Sequence, residues 1–447
     1  MTDSVLWFRR DLRLGDHPAL TAAAAAGTVL PLFVLDPRLL AGAGEVRRNR
    51  LLASLQALRS ATDGALVVRT GNPVEVVPAV AAEGGAGSVH VSGEPFPYGR
   101  RRDARVRKAL QDNTIDWVVT GTPYAVGPGR VVKGDGTPYR VFTPFSRAWR
   151  EHGWRDPASN RSVRWVRRVE SEDLPTADDD PRAGEQAALQ RWAEFRDDDL
   201  VRYDRERDRP DLDTTSRLSE HLKYGEIHPR TLLADLVGRR GDGAQRFRTE
   251  LCWREFYADV LWHRPDSAWH DLNPLPMDYR DPDEQFQRWQ RGATGFPMVD
   301  AGMRQLAGEG WMHNRVRMIT ASFLVKHLHI WWPHGARHFL NLLRDGDIAS
   351  NNHGWQWVAG TGTDAAPYFR IFNPVTQGVK FDPDGEYVRR WIPELAHLPG
   401  KSAHQPWKHP DGYVGGYPER VIDLGAERTE ALDRYSAARA DNGSGHH

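Results

Sequence analysis

Two stretches of this 447-residue chain concentrate groups able to hold a ligand. Thr215–Ser219 (TSRLS) places three hydroxyls and Arg217 together where a helix is expected to begin. Backbone N–H donors, hydroxyls and a positive helix end suit a diphosphate, and the same residues equally make an ordinary N-cap. Asp345–Pro374 (DGDIASNNHGWQWVAGTGTDAAPYFRIFNP) crowds carboxylates, amides and aromatics, with too few apolar residues to be only core. Buried polar groups need partners, so a bound polar heterocycle is expected there, one that residue types alone do not name.

Other chemistries are disfavoured. GAGEVR at Gly42–Arg47 and GPGRVV at Gly127–Val132 lack the third glycine of a dinucleotide loop, neither opens a helix after the first strand, and no P-loop pattern exists. His334 and His338 in HGARH have helical zinc spacing, but no Glu follows the first His and no third ligand stands out, so no metal is expected. Cys252 is the only cysteine, which rules out an intramolecular disulfide. Lys plus Arg equals Asp plus Glu at 60 each, so any nucleic-acid surface must be a local patch. Seventeen Trp can serve stacking surfaces, a redox chain or simply a large core.

The elements that must position these groups fall into two textures. Up to about Gly121, the apolar runs VLWFRR, VLPLFVLD, ALVVRTG, SVHVSG and DWVVTG alternate with helical segments such as RNRLLASLQALRSA and GRRRDARVRKALQD. This pattern predicts a doubly wound, parallel, Rossmann-like α/β sheet. From Thr122 to about Asp211, Gly/Pro turns and the acidic run ADDDPRAGE predict an irregular connector. After Thr214 the apolar spacing becomes helical, in RTLLADLVGRR, RFRTELCWREFYADVLWHR and RVRMITASFLVKHLHIWW, and predicts an all-α domain. The expected boundaries are 1–125 for the α/β domain, 126–205 for the linker, 206–435 for the helical domain and 436–447 for a tail whose closing GSGHH reads as artificial. No apolar run is long enough to cross a bilayer, and the first residues lack the pattern of a signal peptide, so a cytoplasmic protein is expected.

WFRRDLRLGDHPAL (Trp7–Leu20), TSRLS, ELCWREFY (Glu250–Tyr257), TGFPMVDAGMRQL (Thr294–Leu306), GWMHNRVRMITASFLVK (Gly310–Lys326) and Asp345–Pro374 resemble, in order and approximate spacing, the motifs of class I cyclobutane-dimer photolyases in the photolyase/cryptochrome family. The resemblance runs from about Val5 to about Leu395. It implies an antenna-bearing α/β domain, a helical FAD-binding domain, and light-driven repair of cyclobutane pyrimidine dimers by electron donation from excited reduced FAD to a flipped-out dimer. The alternative is a cryptochrome-type blue-light photoreceptor without repair.

Residue by residue, the resemblance implies FAD contacts at Tyr203, Thr215, Ser216, Arg217, Leu218 and Ser219 for phosphates and ribose. Beside the ring it implies Arg317 paired with Asp345, then Gly346, Asp347 and Asn351, the last hydrogen-bonding the reactive ring nitrogen. Glu250, Trp253, Asn314, Met318 and Trp357 match positions that receive the dimer, and Arg207, Arg315, Arg370 and Gln377 match DNA-contact positions. Met318 points to the cyclobutane class, since (6-4) photolyases carry a histidine-bearing pattern there. Trp355 and Trp332 match the proximal and middle members of an electron relay to the flavin. Its terminal member departs from the pattern: Tyr279 stands where the family usually has Trp, with Trp262 and Trp269 as alternatives. Arg47 and Glu94 fall near antenna positions, with 8-hydroxy-5-deazaflavin expected over methenyltetrahydrofolate. UV-damaged DNA as partner and a monomeric state are also implied.

Overall fold

The computed structural model describes residues 3–176, 180–364 and 370–444. Parts of ADDDPRAGE, of the Asp345–Pro374 segment and of the closing GSGHH lie outside the described residues. The chain divides into two compact units: one of residues 1–139, 143–204 and 216–265, the other of residues 140–142, 205–215 and 266–447.

The first unit is built on five parallel strands: β1 (Asp3–Phe8), β2 (Val29–Leu35), β3 (Val67–Thr70), β4 (Ala86–Val91) and β5 (Asp116–Val119), ordered β3-β2-β1-β4-β5. All five expected runs became strands. Every residue of β2 is buried, and β1 is buried from Ser4 onward, as parallel strands covered on both faces must be. The crossover helices read from the sequence are Glu45–Ala61 and Pro97–Gln111. Several helices start at a proline, including Pro18–Ala26, Pro73–Glu83 and Pro97–Gln111, because proline lacks the N–H that the first turn leaves unbonded and brings its φ already set.

The expected connector is more ordered than its composition suggests. It carries the helices Phe142–His152 and Glu185–Glu194. Buried carboxylates on the long helix Asp242–His263 fasten its first part. Glu255 accepts backbone N–H bonds from Ala125 and Val126 and the indole N–H of Trp149, and Asp259 accepts from Gly129 N at 2.7 Å. Gly/Pro composition signals turns, but not the distant carboxylates that pay their backbone hydrogen-bond requirement.

The second unit is helical, as expected, around a core that includes Trp289, Phe296, Phe323, Trp332, Phe339, Trp355 and Tyr387, each at most 3% exposed. Burying each such side chain stabilises by about 1.5–3 kcal/mol relative to leaving it in water. The helices Pro297–Glu309 and Ile348–Ala359 end at Gly310 and Gly360 in left-handed conformation (φ 66° and 87°), where a side chain would be strained. Among the described residues, no helix is long and apolar enough to cross a membrane.

Candidate active site

The site residues read from the sequence are divided between the two units. In the first, Ser219 opens the short helix Ser219–Tyr224, with Leu218 at its N-cap and no side chain closing the cap. Arg217 precedes it at a φ of 50°, a left-handed conformation uncommon for a long side chain. The turn is held by Ser216, whose Oγ accepts Leu218 N at 3.4 Å and whose carbonyl accepts Arg191 Nε at 3.1 Å. Tyr203 is buried against Phe195 and Phe247.

Glu250, Trp253 and Tyr257 recur at three- and four-residue spacing, so they share one face of the helix Asp242–His263. Trp253 is half-buried and leans on Tyr257, with ring centroids 5.4 Å apart. The opposite face carries Glu255 and Asp259, which fasten the helix to the 125–129 loop. Burial pushes Asp259 up to about 6.

In the second unit the dense segment includes the helix Ile348–Ala359, whose two faces have different tasks. Asp347 caps it, accepting from Ala349 N at 3.1 Å and Ser350 N at 3.0 Å, so Ile348–Ala359 starts where the carboxylate ends the preceding turn. Asn351 and Trp355, four residues apart, lie on one side. Trp355 fits because Gly335 has no side chain: a Cβ there would come within 2.2 Å of its ring. Asn351 Nδ2 donates to Ala336 O at 3.2 Å and to Asn352 Oδ1 at 2.8 Å. Both of its N–H bonds are thereby spent inside the protein, and its Oδ1 is the atom left to meet a donor. Asn352 and Gln356 have a structural task instead, gripping the Ser267–Leu272 segment through Ala268 O, Ser267 O (2.7 Å) and Leu272 N (3.0 Å). Part of the amide density read as ligand-binding is therefore internal bracing.

Arg317 donates to Asp345 Oδ2 at 2.8 Å and to Met312 O at 2.8 Å. Asp345 Oδ1 is buried without a hydrogen-bond partner among the described residues, and Gly346 beside it is buried. A buried carboxylate oxygen left unpaired is costly, and a heterocycle with an N–H edge meets that need. The isoalloxazine ring of FAD has such an edge, so the residues present fit the group.

Asn314 and Met318 come together at 4.0 Å on the first turn of the helix Asn314–Lys326, and Trp357 is half-buried against the second unit's core. Arg315, Arg370 and Gln377 line one open cavity of about 670 Å³. Arg205, Asp208, Arg209 and Lys380 line it too and were not singled out from the sequence. Their signal was the alternating charge of RYDRERDRPDLD, which also reads as solvated surface. Trp332 is fully buried and Tyr279 half-buried on the same core. Trp262 lies under Arg100 at 3.9 Å in the first unit, while Trp269 in the second lies 4.9 Å from Arg337.

Glu94 lies just past the carboxyl end of β4, where the strand order reverses between β1 and β4. Arg47 sits in the first turn of Glu45–Ala61 and donates to Gly42 O at 2.8 Å.

Residues 247–437 match the FAD binding domain of DNA photolyase, and residues 4–162 match DNA photolyase. A deoxyribodipyrimidine photo-lyase of Streptomyces griseus is 42% identical, covering 98% of this chain and 99% of that protein. The chain belongs to the DNA photolyase family. The photolyase also superposes on a bacterial class III photolyase from Agrobacterium tumefaciens with a TM-score of 0.91, 38% identity and 98% of each chain covered. A cryptochrome of Synechocystis sp. PCC6803 matches with a TM-score of 0.88, 28% identity, and 97% and 99% coverage. The photolyase fold, a parallel-sheet domain followed by a helical domain, is thus the one expected from hydrophobic periodicity, and FAD binding by the second is what the resemblance implied.

Proposed function

We propose that this photolyase repairs cyclobutane pyrimidine dimers in UV-damaged DNA, light supplying the energy and the second unit supplying the electron-transfer site. One observation carries the reading: the capped helix Ile348–Ala359 presents Asn351 and Trp355 on one face, and the Arg317–Asp345 pair nearby keeps a buried, unspent acceptor. FAD, when bound and reduced, supplies light absorption and a transferable electron.

The protein's own groups orient and stabilise. Tyr203 and Thr215–Ser219 hold the phosphates and ribose; Arg317, Asp345, Gly346, Asp347 and Asn351 hold the ring. Trp253 stacks on the extruded dimer, Glu250 and Asn314 hydrogen-bond its base edges, and Met318 and Trp357 pack beside it. A dimer is already distorted and poorly paired, so it is cheaper to extrude than normal bases, and photolyases are among the enzymes that exploit this. Glu250 acts electrostatically on charge developing in the dimer, with no hydrolytic step. Trp355, Trp332 and Tyr279 relay electrons that restore the reduced cofactor. Arg207, Arg315, Arg370 and Gln377 meet the backbone, a local basic patch on a chain of zero formal net charge.

Within the family we infer the class I branch, on the order and approximate spacing of the six motifs from Trp7–Leu20 to Asp345–Pro374. The class III neighbour is the rival assignment. We assign the antenna site to Glu94 and Arg47, with 8-hydroxy-5-deazaflavin as its occupant and methenyltetrahydrofolate as the alternative. Glu94's place at the reversal of strand order supports this, because doubly wound sheets take ligands there. Chromophores released by denaturation identify the occupant by absorbance. The reading also makes the protein a cytoplasmic monomer acting on chromosomal DNA.

Binding in the dark tests recognition. Oligothymidine carrying a dimer should bind far more tightly than the undamaged strand, and Trp253→Ala should cost roughly 10- to 100-fold, the stacking contribution of one aromatic. Equal affinity for both strands would leave a DNA-binding protein without damage recognition.

A further inference from the structure

The open cavity of the second unit is lined by five cationic side chains, Arg205, Arg209, Arg315, Arg370 and Lys380, and by one acidic residue, Asp208. Asp208 Oδ2 accepts from Arg315 Nη2 at 2.8 Å, and its Oδ1 lies 3.7 Å from Arg207 Nε, buried without a hydrogen-bond partner among the described residues. Arg315 is correspondingly under-used. Its guanidinium lies over the Phe381 ring at 4.5 Å, and its Nε is buried with no hydrogen-bond acceptor among the described residues. One carboxylate thus engages two arginines proposed to meet DNA, with geometry that satisfies neither Asp208 nor Arg315 fully.

A carboxylate and a phosphodiester offer a guanidinium the same forked pair of acceptor oxygens. We propose that Asp208 is an internal competitor for the DNA phosphate, a residue that sets the overall affinity for the backbone by holding Arg315 and Arg207 until a phosphate displaces it. Any strand entering the cavity must exchange the Asp208–Arg315 pair for a phosphate contact and leave the Asp208 charge next to phosphate. That penalty falls equally on damaged and undamaged strands. Contacts to an extruded dimer offset it, whereas undamaged DNA, held by its backbone alone, has nothing else to offer. The consequence is weak occupancy of undamaged DNA. This inference rests on the proposed function in taking DNA as the ligand, Arg207 and Arg315 as backbone contacts and an extruded dimer as the source of the offsetting contacts.

Asp208→Asn keeps the side chain's size and removes its charge. The experiment measures affinity for undamaged and dimer-containing oligothymidine across a salt series, using FAD-loaded full-length protein whose flavin content and melting temperature confirm folding. Both strands should bind on the order of tenfold more tightly at low salt, by the same factor. The slope of log affinity against log salt should steepen by about 0.7, one single-stranded phosphate's worth of released counterions. Asp208→Glu should restore wild-type binding, and Asp208→Asn combined with Arg315→Gln should lose the gain. Unchanged affinity and slope, weaker binding, or a gain that survives Arg315→Gln would each overturn the proposal. Failure of the wild-type protein to bind either strand would instead remove DNA as the ligand, and both readings with it.

Discussion

Trp332 donates its indole N–H to Asp271 Oδ1 at 2.7 Å, and the same oxygen accepts the Thr361 hydroxyl at 2.6 Å. Burial, and secondarily the negative charge of Asp271, raise the Tyr279 phenol above its ordinary value. One carboxylate therefore acts on two of the three aromatics proposed for the relay. A fixed anion beside an aromatic ring stabilises the cation left when that ring gives up an electron, by on the order of 1–4 kcal/mol at about 4 Å.

Asp271→Asn retains an acceptor for the indole and deletes the charge. Photoreduction of oxidised enzyme should slow about tenfold, from an effect of about 1.4 kcal/mol within that range. Repair by enzyme reduced chemically beforehand should be unaffected. Transient absorption of the tryptophan radical is the readout, and wild-type kinetics would show that the charge is irrelevant.

Tyr279→Phe addresses the terminal donor. A phenyl ring is far harder to oxidise than a phenol, so the substitution should slow photoreduction while pre-reduced enzyme still repairs. Unchanged photoreduction would move the terminal role to Trp269 or Trp262.

Asp345→Asn leaves Arg317 without its carboxylate and replaces the unspent Oδ1 acceptor by an amide of unfixed orientation. Breaking a buried pair costs about 3–5 kcal/mol; because Arg317's side chain is 24% exposed, the low end applies. FAD retention, followed by flavin fluorescence on dilution, should weaken on the order of a hundredfold. Full retention would place the ring elsewhere.

The first unit holds an acid-sensitive pair. Burial alone would raise Glu226, but hydrogen bonds from His221 (2.6 Å) and Arg50 (2.8 and 2.9 Å) outweigh it and bring the carboxyl from 4.5 to about 2. A depressed carboxylate stabilises the fold above its unfolded pKa, so this contribution is complete above about 4.5 and is lost as pH falls toward 2. Glu226→Gln should cost about 3 kcal/mol at neutral pH and flatten the acid limb of the melting-temperature profile. An unchanged profile would show that other groups govern acid unfolding.

The fold was legible because its signals are local. β2 reads VLPLFVL and is buried throughout, and the helical spacing after Thr214 needs no knowledge of neighbours. What was hidden depends on distant pairings. Nothing near Asp271 announces that Trp332, 61 positions on, donates to it. Asp208 read as one charge among many until Arg315 was placed against it. Asn351 and Asn352 are adjacent and chemically identical, yet one shares a face with Trp355 and the other braces Ala268, a division that only helix phase and packing decide.

The most direct test follows thymine absorbance in a dimer-bearing oligothymidine mixed with photoreduced protein, under blue light and in darkness. Recovery of absorbance only in the light is the predicted result. No recovery with FAD bound and reduced would contradict repair and leave a photoreceptor built on the same fold.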